Sequence, residues 1–171
     1  MAVVALVLGF VLPSIRTGLL DYRLSATAQD IASQLQSARY TALRNNSMSS
    51  FVLMATSRQY GVDTNADGAV SGGQEVLLDL QSGVTCTSLT TPPVSGATSI
   101  STGAKSGVGF TPRGTLTSLN SSTGQPDFTA AFPTNGVVIY LINPINKFVA
   151  VTVSPAGRVR TWRSQNGVNW Q

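Results

Sequence analysis

Residues 21–47 read DYRLSATAQDIASQLQSARYTALRNNS, and this stretch decides the fold. Apolar residues recur at Leu24, Ala28, Ile31, Leu35, Ala38 and Ala42, in steps of three and four. That spacing places them on one face of an α-helix. Arg23, Gln29, Ser33, Gln36 and Arg44 lie off that face. Asn45, Asn46 and Ser47 supply a stop.

Upstream, Met1 to Leu12 reads MAVVALVLGFVL without a charge. Val3, Val4, Leu6, Val7, Leu8, Phe10, Val11 and Leu12 form the apolar run, closed by Pro13. A bilayer-spanning helix needs about 20 such residues, so the run falls short. A signal peptide has an apolar core of that length, but the charged lead-in is missing. A buried core helix is the remaining alternative. Pro13 lacks an N–H and crowds the preceding turn, so a kink or loosened hydrogen bonding is expected there.

Downstream the periodicity changes. Segments 51–56, 59–63, 75–80, 108–111, 115–119, 128–132, 137–142, 148–154 and 158–163 read as strands. Most are rich in Val, Ile, Phe, Tyr and Thr and bounded by Gly, Pro or Asn. Residues 90–107 and 119–127 read as loops, and Asn143 to Asn146 and Ser154 to Gly157 as hairpin turns. The expected class is α+β. A long N-terminal helix packs on an antiparallel sheet, or on two small sheets. Residues 1–20 form an apolar helical segment, 21–47 its amphipathic continuation, and 48–171 a β-rich head.

Only 11% of the 171 residues are charged, against roughly 25% in ordinary soluble domains. The net charge is +4. From Phe128 onward the chain has Lys147, Arg158, Arg160 and Arg163 and no acid, a balance that favours polyanions or simple solubility. There is no histidine, so Ser-His and Cys-His catalytic pairs cannot be built. The single cysteine, Cys86, permits no internal disulfide, and no basic sequence neighbour activates it. Neither an enzymatic activity nor a cofactor is expected.

The apolar segment AVVALVLGFVLPSIR at 2–16 and the helix after it resemble the type IV pilin superfamily. The closer resemblance is to the GspH/FimT family of minor pseudopilins and minor pilins. Ala28, Ile31, Leu35, Ala38, Arg39 and Ala42 match its helix pattern. The D-x-N-x-D-G turn at 63–68, V-G-F-T-P-R-G at 108–114 and Gly157-Arg158-Val159-Arg160 follow in order. The resemblance implies a single-pass subunit of the bacterial inner membrane with its head in the periplasm. It would join a type II secretion pseudopilus or a type IV pilus at or near the tip. Its implied partners are other pilin or pseudopilin subunits, met through the N-terminal helix, and membrane lipid before assembly. Family members begin with a basic leader and a segment like F-T-L-I-E-L, cleaved and methylated at the new terminus. This sequence contains neither, and a start at an internal methionine is expected.

Two candidate sites remain. Asp63, Asn65 and Asp67, followed by Gly68, copy the first half of an EF-hand calcium loop. Position twelve is Gln74 where the loop needs Glu, and a tight Asx turn uses the same residues. Arg158 and Arg160 alternate on a strand and so share a face. With Arg163 and Lys147 they form a candidate surface for double-stranded DNA, since guanidinium forks match phosphate oxygens. FimT-like pilins implicated in DNA uptake carry a similar G-R-x-R element. The competing reading takes Gly157 as a turn residue and the arginines as solvated.

Overall fold

A computed structural model describes residues 2–70, 75–100, 105–127 and 133–171, with 2–14 entering as helical backbone alone. Helix α1 spans Ala2–Asn45 and is assigned without interruption through Pro13. It ends as its sequence dictates. Asn46 takes the left-handed conformation at φ 47°, and the Ser47 N–H donates back to the Ala42 carbonyl at 3.3 Å. This is a Schellman-type cap, and Arg44 in the last turn complements the carbonyl end of the helix dipole.

Eleven strands follow among the described residues. They are β1 (Ser49–Met54), β2 (Gln59–Asp63), β3 (Leu77–Asp79), β4 (Thr85–Thr87), β5 (Thr98–Ser99), β6 (Ser106–Phe110), β7 (Leu116–Leu119), β8 (Pro126–Asp127), β9 (Val137–Ile142), β10 (Phe148–Val153) and β11 (Val159–Ser164). The first sheet has the order β3-β2-β1-β6-β7-β8. The second has the order β11-β10-β9-β4, with β5 also paired to β9. Pairing is antiparallel except between β5 and β9, which run parallel.

One core joins the helix to both sheets. Leu24, Ala28, Ile31, Leu35, Ala38 and Ala42 are all buried, so the face read from the spacing is the face that packs. It meets Phe51, Leu53, Phe110 and Leu116 of the first sheet, and Ile139, Leu141, Val151 and Val153 of the second. Each such side chain contributes about 1.5–3 kcal/mol on burial. Strand alternation sorts β9 cleanly. Val137, Ile139 and Leu141 join this core, while Val138 and Tyr140 point outward into a smaller cluster. That cluster contains Ala150 and is flanked by Leu89, Ala97, Trp162 and Trp170.

Polar tethers fix the helix along its length. Asp21 pairs with Lys147 and accepts from the Asn143 side chain at 3.0 Å. Asp30 accepts the Tyr60 hydroxyl, and burial together with that carboxylate holds the phenol well above its usual range. Arg39 Nε donates to the Gly114 carbonyl at 3.1 Å.

The structure departs from the sequence reading in short elements. The strand expected at 75–80 is confined to β3, and β4 lies in a segment given no assignment. β5 and β8 lie inside the expected loops at 90–107 and 119–127. Each is two or three residues long and polar or proline-bearing. Such pieces form only because β7 and β9 present an edge, so they have no periodicity to read. The strand expected at 128–132 lies outside the described residues.

Candidate functional site

Three motifs that lie far apart in sequence converge at the lower end of α1. The β6–β7 turn carries Pro112, Arg113 and Gly114, and the β10–β11 turn carries Ser154 to Gly157. Gly157 has φ 78°, and its N–H closes the turn on the Ser154 carbonyl at 2.7 Å. A Cβ there would lie 2.4 Å from the Gly114 carbonyl oxygen and 2.7 Å from Arg39 Nε. The same Gly114 carbonyl accepts from Arg39. Leu116 N–H reaches the Pro155 carbonyl at 3.1 Å and ties the two turns together. The glycine of the G-R-x-R element is therefore a joint between helix and both sheets.

The four basic candidates do not form one surface. Arg158 and Arg160 are exposed and share an alternation face with Trp162, on the side of the second sheet away from the helix. The Trp162 indole N–H is already given to Thr152 Oγ1 at 2.9 Å. Arg163 alternates onto the other face. It lines a cleft of about 580 Å³ with Asp21, Ser25 and Lys147 beside the upper helix. Lys147 is engaged by Asp21. Arg158 and Arg163 also stand about 17 Å apart along the strand.

Residues 27–157 match the family described as Type II transport protein GspH, which covers most of the chain. The chain belongs to the GspH family. Among solved structures, it is similar to the type IV minor pilin FimU of Pseudomonas aeruginosa. The identity is 16%, with 82% of this chain and 88% of that one covered at a TM-score of 0.54. It is also similar to the minor pseudopilin EpsH from the Type 2 Secretion System of Vibrio cholerae. There the identity is 12%, with 81% and 95% covered at a TM-score of 0.51. No curated protein matches the chain in sequence. These likenesses are of fold. The GspH-family chain is a minor pseudopilin or pilin, a structural subunit and not an enzyme, and it assembles with other subunits of that class.

The D-x-N-x-D-G loop of this GspH-family chain is turned inward on itself. Asp63 is fully buried, and its carboxylate accepts from Gly68 N–H at 2.9 Å, Asn65 N–H at 3.2 Å and the Ser50 hydroxyl at 3.3 Å. Asp67 accepts from the Asn65 amide and from Ala69 N–H. Glu75 accepts from the backbone and hydroxyl of Thr64. These carboxylates hold the turn. Gln74, the residue at the twelfth position, lies outside the described residues.

Burial raises the Asp63 carboxyl above its usual value of 3.8, opposed by the Gly68 and Ala66 N–H groups. The folded state therefore binds this proton more tightly than the unfolded chain. Asp63 favours folding most below the unfolded value, and that contribution is lost as pH rises through the folded one. Thermal midpoints of the wild type and Asp63→Asn should be compared from pH 4 upward. The wild type minus variant difference should shrink with rising pH, and a difference that grows contradicts this assignment.

Cys86 sits half-buried on β4, and burial pushes its thiol up to about 11 against a lowering pull from Arg58. At pH 8 only about one thiol in a thousand is then thiolate. Alkylation of native protein with iodoacetamide at that pH should be slow, and fast after denaturation. Equal rates in the two states would show an accessible, ordinary thiol.

The helix carries a second apolar face. Above Leu24 the helix exposes Ile15, Leu19 and Tyr22, at 62%, 46% and 70%. Their spacing of four and three puts them on one face, opposite Leu24. In the sequence this face is marked by three residues at i, i+4 and i+7, against six on the buried face.

Proposed function

We propose that this GspH-family subunit enters its filament through the upper part of α1, and that lipid shelters the same segment before assembly. What supports this is the stripe of Ile15, Leu19 and Tyr22, which faces away from the head and is exposed among the described residues. An apolar helix face in water must be covered, by lipid or by neighbouring helices. The apolar sequence at 2–12 extends the same segment. Among the described residues no helix is long and apolar enough to cross a membrane. The work of such a subunit is mechanical: it supports secretion or piliation by completing a filament at or near its tip.

Complementation tests this. A strain lacking the gene should lose secretion or piliation and regain it with the wild-type chain. Ile15→Glu/Leu19→Glu should not restore it, although circular dichroism shows the head folded. Full rescue by that double variant would remove the helix stripe from assembly.

A second reading has one observation in its favour. Arg158 and Arg160 are exposed, share a face and have no side-chain partner among the described residues, as a phosphate-contacting pair would. A gel shift with duplex DNA should then weaken steeply with salt and vanish in Arg158→Ala/Arg160→Ala. Absence of binding at low salt leaves the filament role alone.

A further inference from the structure

We infer that the lower end of α1 is a docking surface for a different pilin-class subunit, one with an acidic head. It joins Tyr40, Leu43 and Arg44 of the helix to Arg113 and Arg158 of the two neighbouring turns. This rests on the assembly role proposed above and names the face and the kind of partner.

The helix residues and the two glycine turns are contiguous, and Arg158 borders them from the end of the hairpin, on the sheet face away from the helix. Tyr40 and Leu43 are helical neighbours, 66% and 42% exposed. The Leu43 side chain lies 3.3 Å from the Cβ position of Gly114, and Gly114 in turn abuts Gly157. Arg113 and Arg158 flank those two glycines, and both are exposed. Arg44 adjoins Tyr40 on its other side along the helix. An exposed tyrosine and leucine framed by arginines has the composition of a protein interface, where Tyr and Arg anchors dominate.

Charge decides the partner. Segments 35–45, 108–117 and 153–158 contain no acidic residue, while Arg39, Arg44, Arg113 and Arg158 fall within them. A second copy of this chain is a poor fit because it brings the same net charge of +4. Six of its seven carboxylates also already accept a hydrogen bond within the chain. A complementary surface must come from a chain with unengaged acids. The exposed apolar pair at its centre favours a protein over a nucleic acid, whose phosphates would use only the rim.

The test places p-benzoylphenylalanine at position 40 of the full chain, co-expressed with the other pilin-class subunits of its own filament. Irradiation should join it to one subunit whose head carries net negative charge. Arg113→Glu/Arg158→Glu should reduce that product about tenfold or more. Thermal unfolding of the double variant checks its fold, and Arg113→Gln serves as a milder second variant. Crosslinking to a second copy, or to a basic subunit, overturns the inference. So does retention of duplex DNA by these arginines without any subunit product. Incorporation into filaments without a product from position 40 refutes this surface alone. Absence from filaments altogether refutes the assembly reading as well.

Discussion

Gly157→Ala should destabilise the protein by about 2–5 kcal/mol. A left-handed conformation costs an L residue about 1–2 kcal/mol, and forcing atoms into a packed contact adds about 1–3. Both apply, because φ is 78° and the added Cβ would meet the Gly114 carbonyl at 2.4 Å and Arg39 at 2.7 Å. For a chain of this size each kcal/mol lowers the melting midpoint by about 2–4 °C, so thermal unfolding in detergent resolves the effect. Gly157→Asn separates the two causes. Asparagine tolerates the left-handed region but still carries a Cβ, so it should be nearly as damaging as alanine. If asparagine were neutral, backbone conformation alone would explain the glycine, and the three-way joint would not.

Leu35→Ala is the second large effect, at about 2–5 kcal/mol. Leu35 is fully buried on the helix face, in the core that both sheets share. Packing there is set by three layers at once, so the site cannot collapse easily around the void. The exposed helix face offers the contrast: Gln36→Ala, one residue on, should change stability by less than about 0.5 kcal/mol. Chemical denaturation of the two variants side by side measures the difference. Equal effects would mean that α1 does not pack as described.

The sequence carried the helix and its buried face well, because Leu24 through Ala42 repeat at helical spacing and nothing interrupts them. The long strands β1, β9, β10 and β11 were also legible, from β-branched runs between Gly, Pro and Asn turns. What was not legible depends on distant partners. β4, β5 and β8 are brief additions to existing edges, and no local pattern announces them. The Arg39–Gly114–Gly157 joint could be seen only as three motifs in order, since contact between them is a property of the folded chain. The same holds for the basic residues. Charge counting grouped Lys147 and Arg163 with Arg158 and Arg160, but strand alternation separates Arg163, and Asp21 from far upstream engages Lys147. In the D-x-N-x-D-G loop the spacing was compatible with a cation or a turn. The three donors aimed at Asp63 show what the carboxylate does in the fold.

Immunoblotting of purified filaments tests the central claim most directly. Filaments sheared from cells that express the full-length chain should contain it at a low, fixed ratio to the major subunit, and should lose it on Ile15→Glu/Leu19→Glu. Recovery of all the protein as a freely soluble periplasmic monomer, with filaments that form and work without it, would contradict the account.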